Sequence, residues 1–332
     1  MNEKNLQVVL ASRPAGTVDE SNFRFVETPA PVPGEGEILL RVDWLSLDPY
    51  MRGRMNEGKS YAARVELGEV MVGGTVGTVV ASLHPKFAEG DKVLGQLGWQ
   101  RLALSNGTGL VKLPDPRLPE TVWLGAAGMP GITAWMGLAQ IGTPKAGETV
   151  VVSSASGAVG SVAGQLAKIA GCRAVGIAGG AAKCDYVVKE LGFDACVDYK
   201  AGGIDAALKA ALPAGADVYF DNVGGEILDA VLRRVNPGAR IALCGLIAGY
   251  NGDDIPLRNV FSLLVNRVRL QGFIVSDRMD LWPAAMTELA GHIATGRLKY
   301  RESISMGLES APRAFIGLLK GENFGKQLVK VS

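Results

Sequence analysis

The alternation of apolar and polar positions changes rhythm near Leu124. Up to about residue 120, short apolar runs stand between glycines and prolines: Glu37–Val42 (EILLRV), Val70–Val80 (VMVGGTVGTVV) and Lys92–Gly95 (KVLG). Runs of this length, cut by turn residues, predict the strands of a compact, irregular β domain. Beyond Leu124, apolar strands alternate with helical stretches. Strands are predicted at Thr149–Ser153, Arg173–Ala178, Ala195–Asp198, Asp217–Asp221 and Arg240–Cys244. Helices are predicted at about Val159–Ala170, Lys183–Leu191 and Glu226–Val235. Repeated strand–helix–strand units imply an α/β fold with a doubly wound parallel sheet. From about Leu298 short β-like runs return, and the last one, Gln327–Val331, is a candidate for rejoining the first domain.

Composition adds limits. The 332 residues, 48% of them hydrophobic, suffice for two domains with a core each. Lysine and arginine total 34 against 33 acids, so neither a nucleic-acid partner nor a membrane surface is expected. A small-molecule partner fits better. No apolar run approaches the roughly 18 residues of a membrane span, and the polar opening MNEKNLQVVLASRP points to a cytoplasmic protein. The four cysteines, Cys172, Cys184, Cys196 and Cys244, show no close pairing in sequence, as in a reducing compartment.

The chemistry begins at Thr149–Ala170, TVVVSSASGAVGSVAGQLAKIA. It reads as a buried strand, a small-residue turn and an amphipathic helix. In dinucleotide sites such a turn lets the backbone approach the pyrophosphate, which then sits on the helix N-terminus. Here Ser154, Gly157 and Gly160 give a small-x-x-Gly-x-x-Gly spacing, so Gly157, Ala158, Val159 and Gly160 are the candidate pyrophosphate cradle. An NAD site normally adds an acid at the end of the second strand. This chain has Gly179-Gly180-Ala181-Ala182-Lys183 there, so a cation stands where an acid would repel a 2′-phosphate, and NADP or NADPH is the expected cofactor. Tyr199, just after the third strand, is a candidate hydroxyl contact.

Alcohol dehydrogenases of similar layout hold zinc with cysteine, histidine and carboxylate ligands. The two histidines, His84 and His292, are far apart in sequence and no cysteine falls in the first domain, so no metal is expected. Without a metal to stabilise an alkoxide, hydride addition to a double bond conjugated with a carbonyl is the favoured chemistry, because hydrogen bonds can stabilise the enolate it produces.

Several segments together resemble the zinc-independent medium-chain dehydrogenase/reductase family, in its enone and alkenal reductase branch. They are Leu45–Met55 (LSLDPYMRGRM), Val70–Thr75, Leu124–Leu138 (LGAAGMPGITAWMGL), the glycine turn, Phe220–Gly225 (FDNVGG), Cys244–Asn251 (CGLIAGYN), Gln271–Val275 and Leu318–Lys326 (LLKGENFGK). The resemblance spans nearly the whole chain. It implies a GroES-like, mostly-β catalytic domain of residues 1–125 and 297–332 around a Rossmann NADP-binding domain of residues 126–296, paired as a homodimer. It also implies cofactor contacts from Lys183, Tyr199, Asn222, Cys244, Gly245, Tyr250, Phe273, Ile274, Val275 and Asn323. Many members have tyrosine where this chain has Ser276, and glycine or alanine where it has Ser154.

On that basis NADPH delivers hydride to the β-carbon of a small hydrophobic enone or enal, curcumin-like ketones and alkenals among them. Tyr50 and Tyr250 are the candidates for hydrogen bonds to the carbonyl, and Tyr50, Met51 and Met129 for the substrate pocket. Other readings stay open on the sequence: a quinone reductase, an allylic alcohol or eicosanoid dehydrogenase, or a non-catalytic NADPH-binding protein.

Overall fold

The computed structural model describes residues 4–58 and 60–332. The chain divides into two compact units, Met1–Leu124 with Glu302–Ser332, and Gly125–Arg301. The first contains β1 (Lys4–Leu10), β2 (Phe23–Pro29), β3 (Ile38–Leu47), α1 (Tyr50–Arg54) and β4 (Thr75–Ser82). It continues with β5 (Lys92–Gly95), β6 (Leu102–Ser105) and β7 (Val111–Lys112). The second unit runs through α2 (Met129–Met136), β8 (Thr149–Ser153), α3 (Gly160–Ile169), β9 (Arg173–Ala178), α4 (Ala181–Lys189) and β10 (Ala195–Asp198). It is completed by α5 (Ile204–Ala211), β11 (Ala216–Asp221), α6 (Gly225–Leu232), β12 (Val235–Leu243), α7 (Val260–Val265), β13 (Arg269–Gly272) and α8 (Trp282–Ala294). The chain then returns to the first unit as β14 (Glu302–Met306), α9 (Ala311–Leu319) and β15 (Lys326–Lys330).

In the first unit β15 lies antiparallel to β3, with Gln327 opposite Leu47, and parallel to β14. The sheet follows the order β14-β15-β3-β4-β5-β7, with β6 also on β3. Its core packs Leu40, Val42, Leu45, Met51 and Met55 with Trp99, which stacks on Phe23 at 5.5 Å and meets Phe315 edge-on. The apolar run Val70–Val80 is not one strand. Val70 makes an isolated bridge to Val9, and the regular strand begins only at Thr75. Between them a Cβ on Gly73 would sit 2.7 Å from Leu45 Cδ1, so the backbone there runs against the core.

In the second unit all six strands are parallel, in the order β10-β9-β8-β11-β12-β13. Counted within the unit this is 3-2-1-4-5-6, whose strand order reverses between β8 and β11, and ligands of such sheets bind at the carboxyl ends of the strands at that point. The second crossing between units falls at 301, five residues past the 296 read from the sequence. Gln165 of α3 holds the tail there: its Nε2 donates to Lys299 O at 2.8 Å and its Oε1 accepts from Lys299 N at 2.8 Å.

Candidate cofactor site and catalytic tyrosines

Strand β8 is buried along its whole length and ends at Ser153. Ser154 turns the chain with φ +51°, in the left-handed region that costs a non-glycine residue about 1 kcal/mol. Gly157 N donates back to Ser154 O at 2.9 Å. A Cβ on Gly160 would run into the Ser154 carbonyl and stand 3.0 Å from Ala155 Cα, so the close approach of α3 to the end of β8 requires glycine here. Helix α3 starts without a side-chain cap. Its first turn, with Gly157, Ala158 and Val159 before it, therefore presents backbone N–H groups and the positive end of the helix dipole, a site suited to a pyrophosphate.

Strand β9 ends in Gly179 and in Gly180, which has φ +97° and leads directly into α4. Lys183 in the first turn of α4 is half-buried, and burial first and the charge of Lys200 second push its pKa below the ordinary lysine value. Lys183 and Lys200 thus bring two positive charges to the end of β9, beside a helix start without a side-chain cap. Tyr199, 42% exposed, borders the same turn, with its hydroxyl 3.0 Å from where a Cβ on Gly179 would stand. Asp198 ties the two loops together, its Oδ1 accepting from Gly180 N at 2.7 Å and from Lys200 N at 2.9 Å. Neither Lys200 nor Asp198 stood out in the sequence. The Asp-Tyr-Lys run at the strand end carried the signal, because an aspartate there tends to accept a backbone N–H two residues on.

At the switch between β8 and β11, Asn222 is fixed from both ends. Its N donates to Ser153 Oγ at 2.8 Å and its Nδ2 to Ser153 O at 2.7 Å. Asp221 Oδ1 accepts from Ser153 Oγ, Tyr219 Oη, Val223 N and Gly224 N at 2.7–3.0 Å. Burial nevertheless lifts the Asp221 pKa above the usual carboxylate value. The carbonyl of Asp221 accepts from Cys244 N and Gly245 N, drawing the end of β12 to the same place. Burial, with Asp221 second, pushes the Cys244 thiol up to about 12, so it is a neutral wall group and no thiolate at physiological pH. Beside Gly245, at 3.3–3.4 Å from a Cβ built on it, stand Asn222 O and the Tyr250 hydroxyl. Ser153, Asn222, Gly245 and Tyr250 thus converge at the switch point.

After β13, the Phe273 ring packs edge-on to Phe220 at 6.3 Å and against Gly137, leaving Ile274 and Val275 at the strand end. Val275 O accepts from Trp282 Nε1 at 3.1 Å, which anchors the turn. Ser276 is exposed. Met129, half-buried at the start of α2, accepts at its carbonyl from Thr133 Oγ1 at 2.7 Å.

In the first unit Tyr50 opens α1 at the corner after Asp48-Pro49. Burial first, then the Asp48 carboxylate, raises its pKa well above that of a free tyrosine, so its hydroxyl is a neutral donor. Beneath it lies a buried ion pair: Lys326 Nζ donates to Asp48 Oδ1 at 2.7 Å and to Leu47 O at 2.6 Å, while Ser46 Oγ donates to Asp48 Oδ2. Met51 corrects the sequence reading. It is 0% exposed and packs with Met55 in the core, so it has no surface to offer a substrate. The helical turn after Pro49 points it inward. Asn323 sits in the turn after α9, its Nδ2 donating to Gly325 O at 2.9 Å, on a polar groove of about 590 Å³ lined also by Glu20, Glu309 and Arg313.

Two family models match the chain: one described as the N-terminal domain of oxidoreductase over residues 6–113, the other as zinc-binding dehydrogenase over residues 158–291. The chain is 48% identical to the NADPH-dependent curcumin reductase of Escherichia coli over 339 residues, covering 99% of this chain and 98% of the relative. It belongs to the zinc-independent medium-chain dehydrogenase/reductase family. This reductase is also 42% identical to the NADP-dependent 2-alkenal reductase of Nicotiana tabacum, with 99% and 98% of the two chains covered. It superposes on the crystal structure of CurA in complex with NADPH from Vibrio vulnificus with TM-score 0.94 and 48% identity, covering 98% of this chain and 99% of that one. Its fold is accordingly a Rossmann sheet inserted in a GroES-like, mostly-β unit. One family description mentions zinc, yet among the described residues no three His, Cys, Asp or Glu side chains come together to hold a metal ion. His84 lies in a loop against Phe87, and His292 is buried in α8 beside Glu288.

Proposed function

We propose that this reductase uses NADPH to saturate the carbon–carbon double bond of small hydrophobic α,β-unsaturated ketones and aldehydes. The observation that carries the cofactor choice is the pairing of Lys183 with Lys200 at the end of β9, where an NAD enzyme would carry an acid. The names of relatives 42–48% identical over nearly the whole chain support the substrate class.

When bound, NADPH supplies the hydride that adds to the β-carbon. Everything else falls to the chain. The N–H groups of Ala158, Val159 and Gly160 at the start of α3 neutralise the pyrophosphate, while Gly157 closes the turn and lets the chain approach it. Lys183, Lys200 and Tyr199 hold the 2′-phosphate. Asn222, locked by Ser153, lines the rest of the cofactor together with Cys244–Tyr250 and Phe273–Val275. The Tyr250 hydroxyl donates to the substrate's carbonyl oxygen, where negative charge builds as the enolate forms. Tyr50 is the candidate that the first unit offers for the same task, and water delivers the proton to the α-carbon.

We further infer a cytoplasmic homodimer. Four free cysteines fit a reducing compartment. The edge strand β13 pairs only with β12 among the described residues, and beside it in sequence α7 exposes Phe261 at 74% and Leu264 at 73%, an apolar patch that a second copy would cover. Light scattering should report a dimer for the wild type and a monomer for a Phe261→Asp, Leu264→Asp variant.

Nicotinamide absorbance followed with NADPH and NADH in parallel, across medium-chain enals, phenyl enones, diarylheptanoids and quinones, tests the reaction. A saturated ketone or aldehyde as product, with NADPH strongly preferred, is expected. Hydroquinone as the only product, oxidation of allylic alcohols without enone reduction, or tight NADPH binding with no turnover would each overturn the reading.

A further inference from the structure

The four cysteines look unrelated in sequence, but the fold brings two of them together. Cys184 sits in the first turn of α4 and Cys196 in β10, and their sulfurs are 2.8 Å apart, closer than two unbonded sulfurs pack. Both are half-buried, which leaves a small oxidant a path to them. Cys172 and Cys244 have no such neighbour. The pair also lies beside the two lysines described above: Cys184 follows Lys183 directly, and Cys196 precedes Asp198, Tyr199 and Lys200 on the strand that Asp198 ties to Gly180.

We propose that Cys184 and Cys196 are an oxidation site, closed to a disulfide by a peroxide, and that closure weakens NADPH binding. The first half stands on geometry alone. The second rests on the assignment of Lys183 and Lys200 to the 2′-phosphate.

The two sulfurs differ in role. Cys184 lies at the positive end of α4, which favours its thiolate, so it is the one that ionises first and attacks. Its thiolate takes one oxygen of hydrogen peroxide, the O–O bond breaks, and a sulfenic acid forms with release of hydroxide. The Cys196 thiol then displaces that oxygen as water and the S–S bond forms; the two thiols lose two electrons, peroxide gains them, and two waters result. Burial raises the pKa of both thiols above the ordinary value, so the reaction is slow at neutral pH and accelerates as pH rises. The S–S bond ties the start of α4 to the end of β10. Lys183 rides on the first and Lys200 follows the second, so closure alters the spacing of the two cations.

The test uses the full-length protein treated with hydrogen peroxide, then alkylated and digested without reductant. Joined peptides carrying Cys184 and Cys196, and a fall from four titratable thiols to two, are expected, with Cys196→Ser giving no joined peptide. Four remaining thiols, a Cys184 sulfinic acid with Cys196 unmodified, or pairing through Cys172 or Cys244 would overturn the bond. The KM for NADPH should rise about tenfold on oxidation, as for loss of one charge-assisted contact, recover with dithiothreitol, and not respond to peroxide in Cys196→Ser. A joined peptide with unchanged KM would overturn the effect on the cofactor. Wrong phosphate residues would show separately, as a Lys183→Ala variant that keeps its preference for NADPH.

Discussion

The Ser154–Gly160 turn and the Leu45–Met55 corner each begin at the end of a strand, β8 in one unit and β3 in the other, but they are held by different means. The turn is made of backbone. Its shape follows from a left-handed Ser154, a Gly160 with no room for a Cβ, and a helix start that leaves N–H groups to a ligand. The corner is made of side chains gathered from far along the chain: Asp48, held by Ser46, binds Lys326, 278 residues away in sequence, and its charge acts on Tyr50 two residues on. A backbone site tolerates side-chain change but not added volume. A side-chain site tolerates volume but not the loss of a charge.

The largest effect should come from breaking the corner. Lys326→Ala leaves the Asp48 carboxylate buried without its cation, and removing one partner of a buried pair costs about 3–5 kcal/mol. Chemical denaturation should show that loss, and the double change Asp48→Asn, Lys326→Met should restore most of it. If the single and double variants are equally unstable, the pair does not hold the corner.

Next in size is the chemistry. Tyr250→Phe should lower turnover on the best enone about a hundredfold, about 3 kcal/mol, with NADPH affinity little changed. Tyr50→Phe is the matching variant in the first unit. Because its pKa is raised, Tyr50 stays protonated through the working range, so any role it has should be independent of pH below about 10. Wild-type turnover in both variants would remove both tyrosines from the mechanism.

A third variant probes the backbone side of the contrast. Gly160→Ala places a methyl against the Ser154 carbonyl, and overpacking of this kind costs about 1–3 kcal/mol. The melting temperature and NADPH affinity should fall together, whereas Ser156→Ala, on the same turn, should move neither by much. An unchanged Gly160→Ala would mean that the helix can slide away from the strand at little cost.

The same contrast explains what the sequence showed in advance. The order of strands and helices from β8 to β12 was legible because burial imposes a period on each element, and the glycine turn because its spacing is local. The cation at Lys183 was legible because the missing acid has a fixed place in the motif. Lys200 and Asp198 were not, since their part depends on β9 and β10 lying side by side. The Lys326–Asp48 pair and the Cys184–Cys196 contact join residues that no spacing relates. Met51 misled for a related reason: it follows Tyr50 directly in sequence, but the turn of a short helix carries it into the core, where it is fully buried.

The smallest effect is also the most specific to NADPH. Lys183→Ala should raise the KM for NADPH about tenfold, the worth of one charge-assisted contact of about 1.4 kcal/mol, and leave that for NADH nearly unchanged. The lysine must be charged to hold the phosphate, and burial and Lys200 have lowered its pKa below the usual 10.5. The 2′-phosphate is fully ionised only above about pH 6, so binding is strongest near neutral pH and weakens as pH rises through that lowered value. The wild-type KM for NADPH should therefore climb at a lower pH than an ordinary lysine would allow, while the KM for NADH stays flat and Lys183→Ala removes the climb. Bound phosphate stabilises the charged form, so the enzyme–NADPH complex should lose Lys183's proton at higher pH than the free enzyme. Parallel profiles for the two cofactors would place the phosphate elsewhere and leave the Lys183–Lys200 pair as a feature of the fold alone.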